Sequence, residues 1–237
     1  MKLLTTNTKL LKSRGSKYKV LGLALAPHSI GGTKVCPHST AGCRSACNLW
    51  FAGRTVMEPV RDAMIRRKQW LASDGVGFQD QLHKEIELHE KYCRRTGLTP
   101  VVRLNVASDL DWRSVIAAHP GTTYYDYSKV LSRAKGEWLD NYQITYSRNE
   151  KSSEDEMVGL LESGRNVAVV FDVAYLPQQG ILGRLPKTWF GHKVVDGDKH
   201  DVRLRDVDGK GVVVGLRLKG GTKARENARR SGFAVKP

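Results

Sequence analysis

Apolar residues in this chain fall in short blocks, and the spacing inside each block changes from one to the next. The first block, Val20 to Ala26, belongs to a stretch 19–26 that predicts a buried strand ending at Pro27. Glu58–Leu71 predicts a helix with Val60, Met64 and Ile65 as its apolar face and Arg61, Arg66, Arg67 and Lys68 outside. Phe78, Leu82, Ile86, His89 and Cys93 then recur three or four residues apart, the stripe of a second helix, with Gly97 and Pro100 as stop signals.

Beyond Pro100 the blocks alternate. Strands are predicted at Val101–Ala107, Thr122–Tyr127, Tyr142–Tyr146, Asn166–Phe171 and Gly211–Leu218, with a weaker one at 193–195. Helices are predicted at Trp112–Ala118, after Lys129 to about Leu139, from Ser152 or Ser153 to Gly164, and at Thr222–Ser231. Alternation of this kind predicts an α/β fold with a parallel sheet and helical crossovers, a full or partial parallel β/α barrel. No G-x-G-x-x-G follows the first strand, which argues against a dinucleotide fold. The chain divides into a basic N-terminal arm, 1–18, and a single β/α domain, 19–237, interrupted by an irregular loop or lid at about 173–210.

Such folds gather their chemistry where the parallel strands end. The polar residues at those ends include His28, Asn105, Asp109, Lys129, Ser147, Arg148, Asp172, Asp198 and Lys219. Asn105, Asp109, Lys129, Ser147, Arg148 and Asp172 are the candidate catalytic residues. Each has a plainer reading beside it. Asp109 is placed to cap the next helix, Lys129 and Arg148 to be solvated charges, and Asp196 and Asp198 to be turn residues. Tyr125 and Tyr127 share one strand face, with Tyr124 and Asp126 on the other.

The first strand leads into a cysteine-rich loop. Three of the four cysteines lie there, Cys36, Cys43 and Cys47, spaced C-x6-C-x3-C. Clustered thiolates are soft ligands suited to an iron–sulfur cluster or to zinc, and these three are the predicted metal ligands. A closed site needs a fourth ligand. Cys93, His28 and His38 are candidates, although Cys93 sits on an apolar helical stripe where a cysteine packs as a small hydrophobe.

Charge adds a partner. The formal net charge is +15 and the pI about 9.8, with basic residues dense in the arm and in the C-terminal helix, at Lys219, Lys223, Arg225, Arg229 and Arg230. That distribution predicts nucleic acid as the partner. No apolar run approaches the ~20 residues of a membrane span, and no signal peptide is visible at the start, so no membrane partner and a cytoplasmic setting are expected. No Walker loop, H-E-x-x-H or G-x-S-x-G element is present.

Two resemblances bear on function. A strand, a glycine-containing loop with three cysteines and a β/α series resemble the radical S-adenosylmethionine enzymes. In those, three cysteines hold a [4Fe–4S] cluster whose open iron chelates S-adenosylmethionine. More of the chain is similar to the gene-product-88-like family of phage proteins, through CPHSTAGCRSAC, VVRLNVASDLDW, YYDYSK, ITYSRNE and GVVVGLRLKG. That resemblance carries Cys36, Cys43, Cys47, Arg103, Asn105, Asp109, Tyr127, Ser128 and Lys129 onto the family's pattern and implies a bacteriophage protein working in the host cytoplasm. It implies no activity. The function expected from all of this is an iron–sulfur enzyme, with a [4Fe–4S] cluster and S-adenosylmethionine, acting on a nucleic-acid or nucleotide substrate. The other expectation is a non-enzymatic nucleic-acid-binding or host-takeover protein whose zinc or iron–sulfur site is structural.

Overall fold

The computed structural model describes residues 1–7, 10, 17–47, 50, 53–136, 139–176 and 179–237. Eleven strands and eight α-helices are assigned among them. The strands are β1 (Leu4–Thr5), β2 (Tyr18–Leu23), β3 (Thr99–Arg103), β4 (Thr123–Ser128), β5 (Tyr142–Ser147), β6 (Val167–Phe171), β7 (Tyr175–Leu176), β8 (Ile181–Leu182), β9 (Thr188–Trp189), β10 (His192–Asp196) and β11 (Val213–Arg217). The helices are α1 (Ala41–Ser45), α2 (Glu58–Ser73), α3 (Gly75–Thr96), α4 (Arg113–Ala117), α5 (Leu131–Lys135), α6 (Glu154–Glu162), α7 (Arg205–Asp208) and α8 (Thr222–Ser231).

The main sheet has nine strands in the order β1-β2-β3-β4-β5-β6-β11-β10-β9. Every neighbouring pair from β2 to β10 is parallel, and only the edge pairs β1–β2 and β9–β10 are antiparallel. A mostly parallel α/β sheet is thus present, and a closed barrel is not. The two edge strands do not pair with each other among the described residues. Connectivity supplies the reason. After β6 the chain runs to the far edge through β9 and β10, then comes back to lay β11 between β10 and β6. Sequential winding, the route to a barrel, ends there.

Period-two alternation sends side chains to the two faces. On one face Leu23, Val102, Leu104 and Tyr124 pack on Phe78, Leu82 and Ile86 of α3. Further along it, Val167, Val169, Phe171 and Val213 pack on Met157, Leu160 and Leu161 of α6. The α3 stripe is the one the spacing predicts. The helix ends at Gly97, whose φ of 67° is left-handed and whose N–H bonds the Cys93 carbonyl.

The opposite face is covered without a long helix. Val20, Val101 and Tyr125 meet Leu10, Val202 and Leu204. Arg103 reaches down from β3, where its Nη1 donates to both oxygens of Asp201 at 2.9 and 3.1 Å, and the Tyr125 hydroxyl donates to the same carboxylate at 3.1 Å. Beside it Arg203 pairs with Asp208 at 2.8 and 3.0 Å. The stretch 173–210, read as an irregular loop or lid, therefore contains β7 to β10 and α7, and its residues 201–204 are a buried floor. Its charged residues hide this role in the sequence, because their partners come from strands far away. In the segment read as a basic arm, Leu3 and Leu4 are fully buried and Leu4–Thr5 form the edge strand. Residues 8–9 and 11–16 of it lie outside the described residues.

Candidate thiol site at the strand ends

The segment between β2 and α2 folds over the C-terminal ends of the parallel strands. Cys36 accepts the His28 N–H at 3.2 Å, and its thiol donates to the carbonyl of Ala107, just past β3, at 3.4 Å. The turn beneath it is tied down by Lys68 of α2, whose ammonium donates to the carbonyls of His28 and Ile30, both at 2.7 Å. Lys68, expected on the solvent side of its helix, is thus buried along with Arg67. The helical period assigns a face but cannot foresee a lysine that snorkels inward to carbonyls.

Cys43 lies in α1. Thr40 caps that helix, accepting the Cys43 N–H at 3.2 Å. The Thr40 hydroxyl in turn donates to Glu150 at 2.7 Å, and the Gly42 N–H donates to the other Glu150 oxygen at 2.7 Å. Gly42 is required by this approach. A Cβ there would lie 2.8 Å from Glu150 Oε1 and 2.6 Å from Ser231 Oγ of α8. Glu150 therefore fixes the cysteine segment to the end of β5, and α8 packs beside it.

Asp109 forms the other wall. It accepts from Ser128 Oγ at 2.8 Å, the Lys129 N–H at 2.9 Å and Arg133 at 3.0 Å. It does not cap α4, whose N-cap residue is Trp112. The Lys129 ammonium donates to Ser147 Oγ at 3.0 Å and lies 5.3 Å from the centre of the Phe233 ring. Arg148 donates to the carbonyls of Gly232 and Phe233 at 2.8 and 3.0 Å, anchoring the segment after α8. Asn105 turns inward. Its carbonyl oxygen accepts from Ser108 Oγ and the Leu110 N–H, holding the loop that carries Asp109. Below Asn105, buried Asp126 accepts its N–H at 2.8 Å and the Tyr142 hydroxyl at 3.2 Å. Burial pushes the Asp126 carboxyl up to about 7.

Electrostatics tie these parts into one site. Burial raises both thiols, Cys36 and Cys43, above the ordinary value. Each also feels the Asp109 charge, Cys36 feels Cys43, and Lys129 works in the opposite direction on Cys43. Burial would raise Glu150 as well, but hydrogen bonds from Thr40 and the Gly42 N–H overcome it and hold the carboxyl below its usual range.

Cys36, Cys43, Asp109, Lys129 and Ser147 therefore share one mouth with Glu150. Asp172, at the end of β6, instead pairs with Arg229 of α8 through two 2.9 Å contacts. Cys47 lies half-buried beside Ala26, Trp50, Met64 and Ala107. Cys93 is buried against His89 close to the start of β3, the far end of the strand from Ala107, and His38 is exposed. No group of three or more His, Cys, Asp or Glu side chains among the described residues is drawn together around a metal position. Glu150, Lys68, Asp126 and Arg133 escaped sequence reasoning. A buried lysine carries no sequence mark, but Glu150 lies two residues past the strand-end pair Ser147-Arg148, and Asp126 stands out as an acid inside a largely aromatic strand.

Among the described residues no helix is long and apolar enough to cross a membrane. No curated protein and no solved structure matches the chain. The likeness to radical S-adenosylmethionine enzymes finds no support: the cysteine spacing is wider than theirs, and the family that does match is a different one. The family model described as gene product 88 matches residues 1–237, the whole chain, and the chain belongs to that family.

Proposed function

We propose that this protein is a phage metalloprotein that brings a nucleic-acid or nucleotide ligand to a thiolate-bound metal centre, an iron–sulfur cluster of the [4Fe–4S] type, at the mouth of the sheet. The single observation that carries this reading is the joining of Cys36 and Cys43 with Lys129, Asp109 and Glu150 at the C-terminal strand ends, next to the basic helix α8.

The donor set suits a soft metal. Cys36 and Cys43 are soft donors held as neutral thiols by burial, and they would release their protons on binding a soft cation, a step that Lys129 beside Cys43 favours. Cys36, Cys43 and Cys47 would hold the metal, with Cys47 moving toward the other two. When bound, the cluster would supply electron transfer or an open coordination position. Lys129 would bind an anionic group of the ligand, such as a phosphate. Glu150 would hold Cys43 in place through Thr40 and Gly42, and Asp109 would orient Lys129 through its N–H. Lys223, Arg229 and Arg230 are exposed on α8 while Ala224 and Ala228 are buried. A phosphate backbone lying along that ridge would lead into the mouth.

Anaerobic purification with iron, sulfide and zinc analysis tests the reading. Iron and sulfide in equal amounts are expected, lost in Cys36→Ala, Cys43→Ala and Cys47→Ala and kept in Cys93→Ala. No bound iron or zinc after reconstitution sinks the metal assignment. A stoichiometric zinc bound by four protein ligands favours the second reading, a non-enzymatic nucleic-acid-binding protein with a structural metal.

A further inference from the structure

At the opposite end of the sheet two histidines face each other. His83 of α3 and His119, in the turn before β4, bring Nδ1 and Nε2 to 2.7 Å, with ring centres 5.0 Å apart. His119 is buried, while His83 is half-buried and reachable from solvent. The second nitrogen of His119 points to Glu90, 4.0 Å away, and Glu90 is itself held by the Thr122 hydroxyl at 2.7 Å. Glu87 lies one helical turn from His83, exposed on the same side of α3.

We propose that His83 and His119 are a two-imidazole binding site for a divalent transition metal of the zinc–nickel–copper class, with Glu90 orienting His119 and water completing the coordination. Two imidazole nitrogens aimed at one point can share a proton or a metal ion. Bond lengths of about 2.0–2.1 Å in a tetrahedral site put two nitrogens about 3.3 Å apart, so the rings need part by only about half an ångström. A carboxylate behind the far nitrogen is the partner that a ligating histidine ordinarily has, because it fixes the tautomer and turns the lone pair toward the metal. Burial lowers the His119 pKa and keeps the ring in its neutral, ligating form, while Glu90 and Glu87 both favour positive charge there. A metal at this position would clip α3 to the turn between α4 and β4. It is separate from the cysteines, which lie at the other end of the strands.

Nickel titration of the full chain, followed by calorimetry and by the ring-proton signals of its seven histidines, tests the site. The signals of His83 and His119 should be lost first, at close to one equivalent. His83→Ala should weaken this binding at least tenfold, and Glu90→Gln about tenfold through loss of orientation. His38→Ala, at an exposed histidine near the cysteines, should leave it unchanged. Should His83→Ala prove poorly folded by circular dichroism, His83→Gln keeps a hydrogen-bond acceptor toward His119 while removing the imidazole ligand. If Ni²⁺ perturbs the other histidines and spares this pair, or if the His83 variants bind it as tightly as the parent chain, the pair is a shared-proton hydrogen bond and the proposal is wrong.

Discussion

Two buried polar regions of this molecule treat charge in opposite ways. Under the sheet, Arg103 is matched by Asp201, with the Tyr125 hydroxyl on the same carboxylate, and Arg203 is matched by Asp208. At the strand ends, Cys36 and Cys43 are pushed toward their neutral forms by burial, with the carboxylates of Asp109 and Glu150 close by. The first region is closed, since each formal charge has its opposite in bonding distance. The second holds two thiols in their neutral forms beside carboxylates, of which Asp109 is paired with Arg133 and Glu150 with Thr40 and the Gly42 N–H. Such a contrast separates a polar floor built of ion pairs from a polar mouth whose thiols are uncharged, and perturbed groups of the second kind are the ones that mark candidate sites.

The largest effect should follow from breaking the floor. Asp201→Ala strands Arg103 in a buried position and should cost about 3–5 kcal/mol of unfolding free energy. Denaturant titration reads this as a lower midpoint. A loss below about 1 kcal/mol, the range of exposed pairs, would mean that the floor is solvated and the contrast with the mouth is false.

Next comes the anchor of the mouth. Glu150→Ala removes a charged acceptor from Thr40 and the Gly42 N–H and should cost about 1.5–3 kcal/mol. Unlike Asp201→Ala, it should also speed the reaction of Cys43 with a thiol reagent under native conditions, since α1 is then held less firmly. Unchanged thiol reactivity would separate Glu150 from the site.

How much of this contrast could be read from the sequence depends on distance along the chain. The parallel strands and the α3 stripe were legible because period and composition act locally: Val101–Ala107 and Asn166–Phe171 carry their own burial. Lys129 does follow β4 directly, but β3 ends at Arg103, short of the Val101–Ala107 read from the pattern, so Asp109 lies in the loop beyond it. Closure of the barrel was not legible, because it turns on β11 returning between β6 and β10, a pairing between distant segments. The floor was hidden for the same reason, since Asp201 is separated from Arg103 by nearly a hundred residues. Lys68 was misread because helical period predicts a face but not a side chain that bends back under it.

Asp126 links the two regions and gives the contrast a pH dependence. Its carboxyl is raised from 3.8 to about 7 in the folded protein, first by burial, with Arg103 and the bonds from Asn105 and Tyr142 opposing. The folded state therefore binds this proton more tightly than the unfolded chain. Its contribution to stability is fully present below about pH 3.9 and is lost as pH rises toward 7, at up to about 1.4 kcal/mol per unit. Asp126→Asn should remove that part of the slope between pH 4 and 7. A stability profile that keeps the slope in the variant assigns it to other groups.

The smallest change in stability should come at the rim. Arg229 is half-exposed and pairs with Asp172 through two 2.9 Å contacts, an arrangement that salt and water screen. Arg229→Ala should alter the unfolding free energy by less than about 1 kcal/mol. Its effect should instead be seen in ligand binding. If α8 carries a phosphate backbone toward the mouth, removing one phosphate contact should weaken binding to single-stranded and duplex oligonucleotides alike, and should reduce the slope of log affinity against log salt by about one contact's worth. Asp172→Ala should do the reverse, freeing Arg229 and strengthening binding at low salt. If Arg229→Ala destabilises the fold by several kcal/mol while leaving the salt slope intact, the rim belongs with the floor as structure, and the basic ridge is not the approach to the thiols.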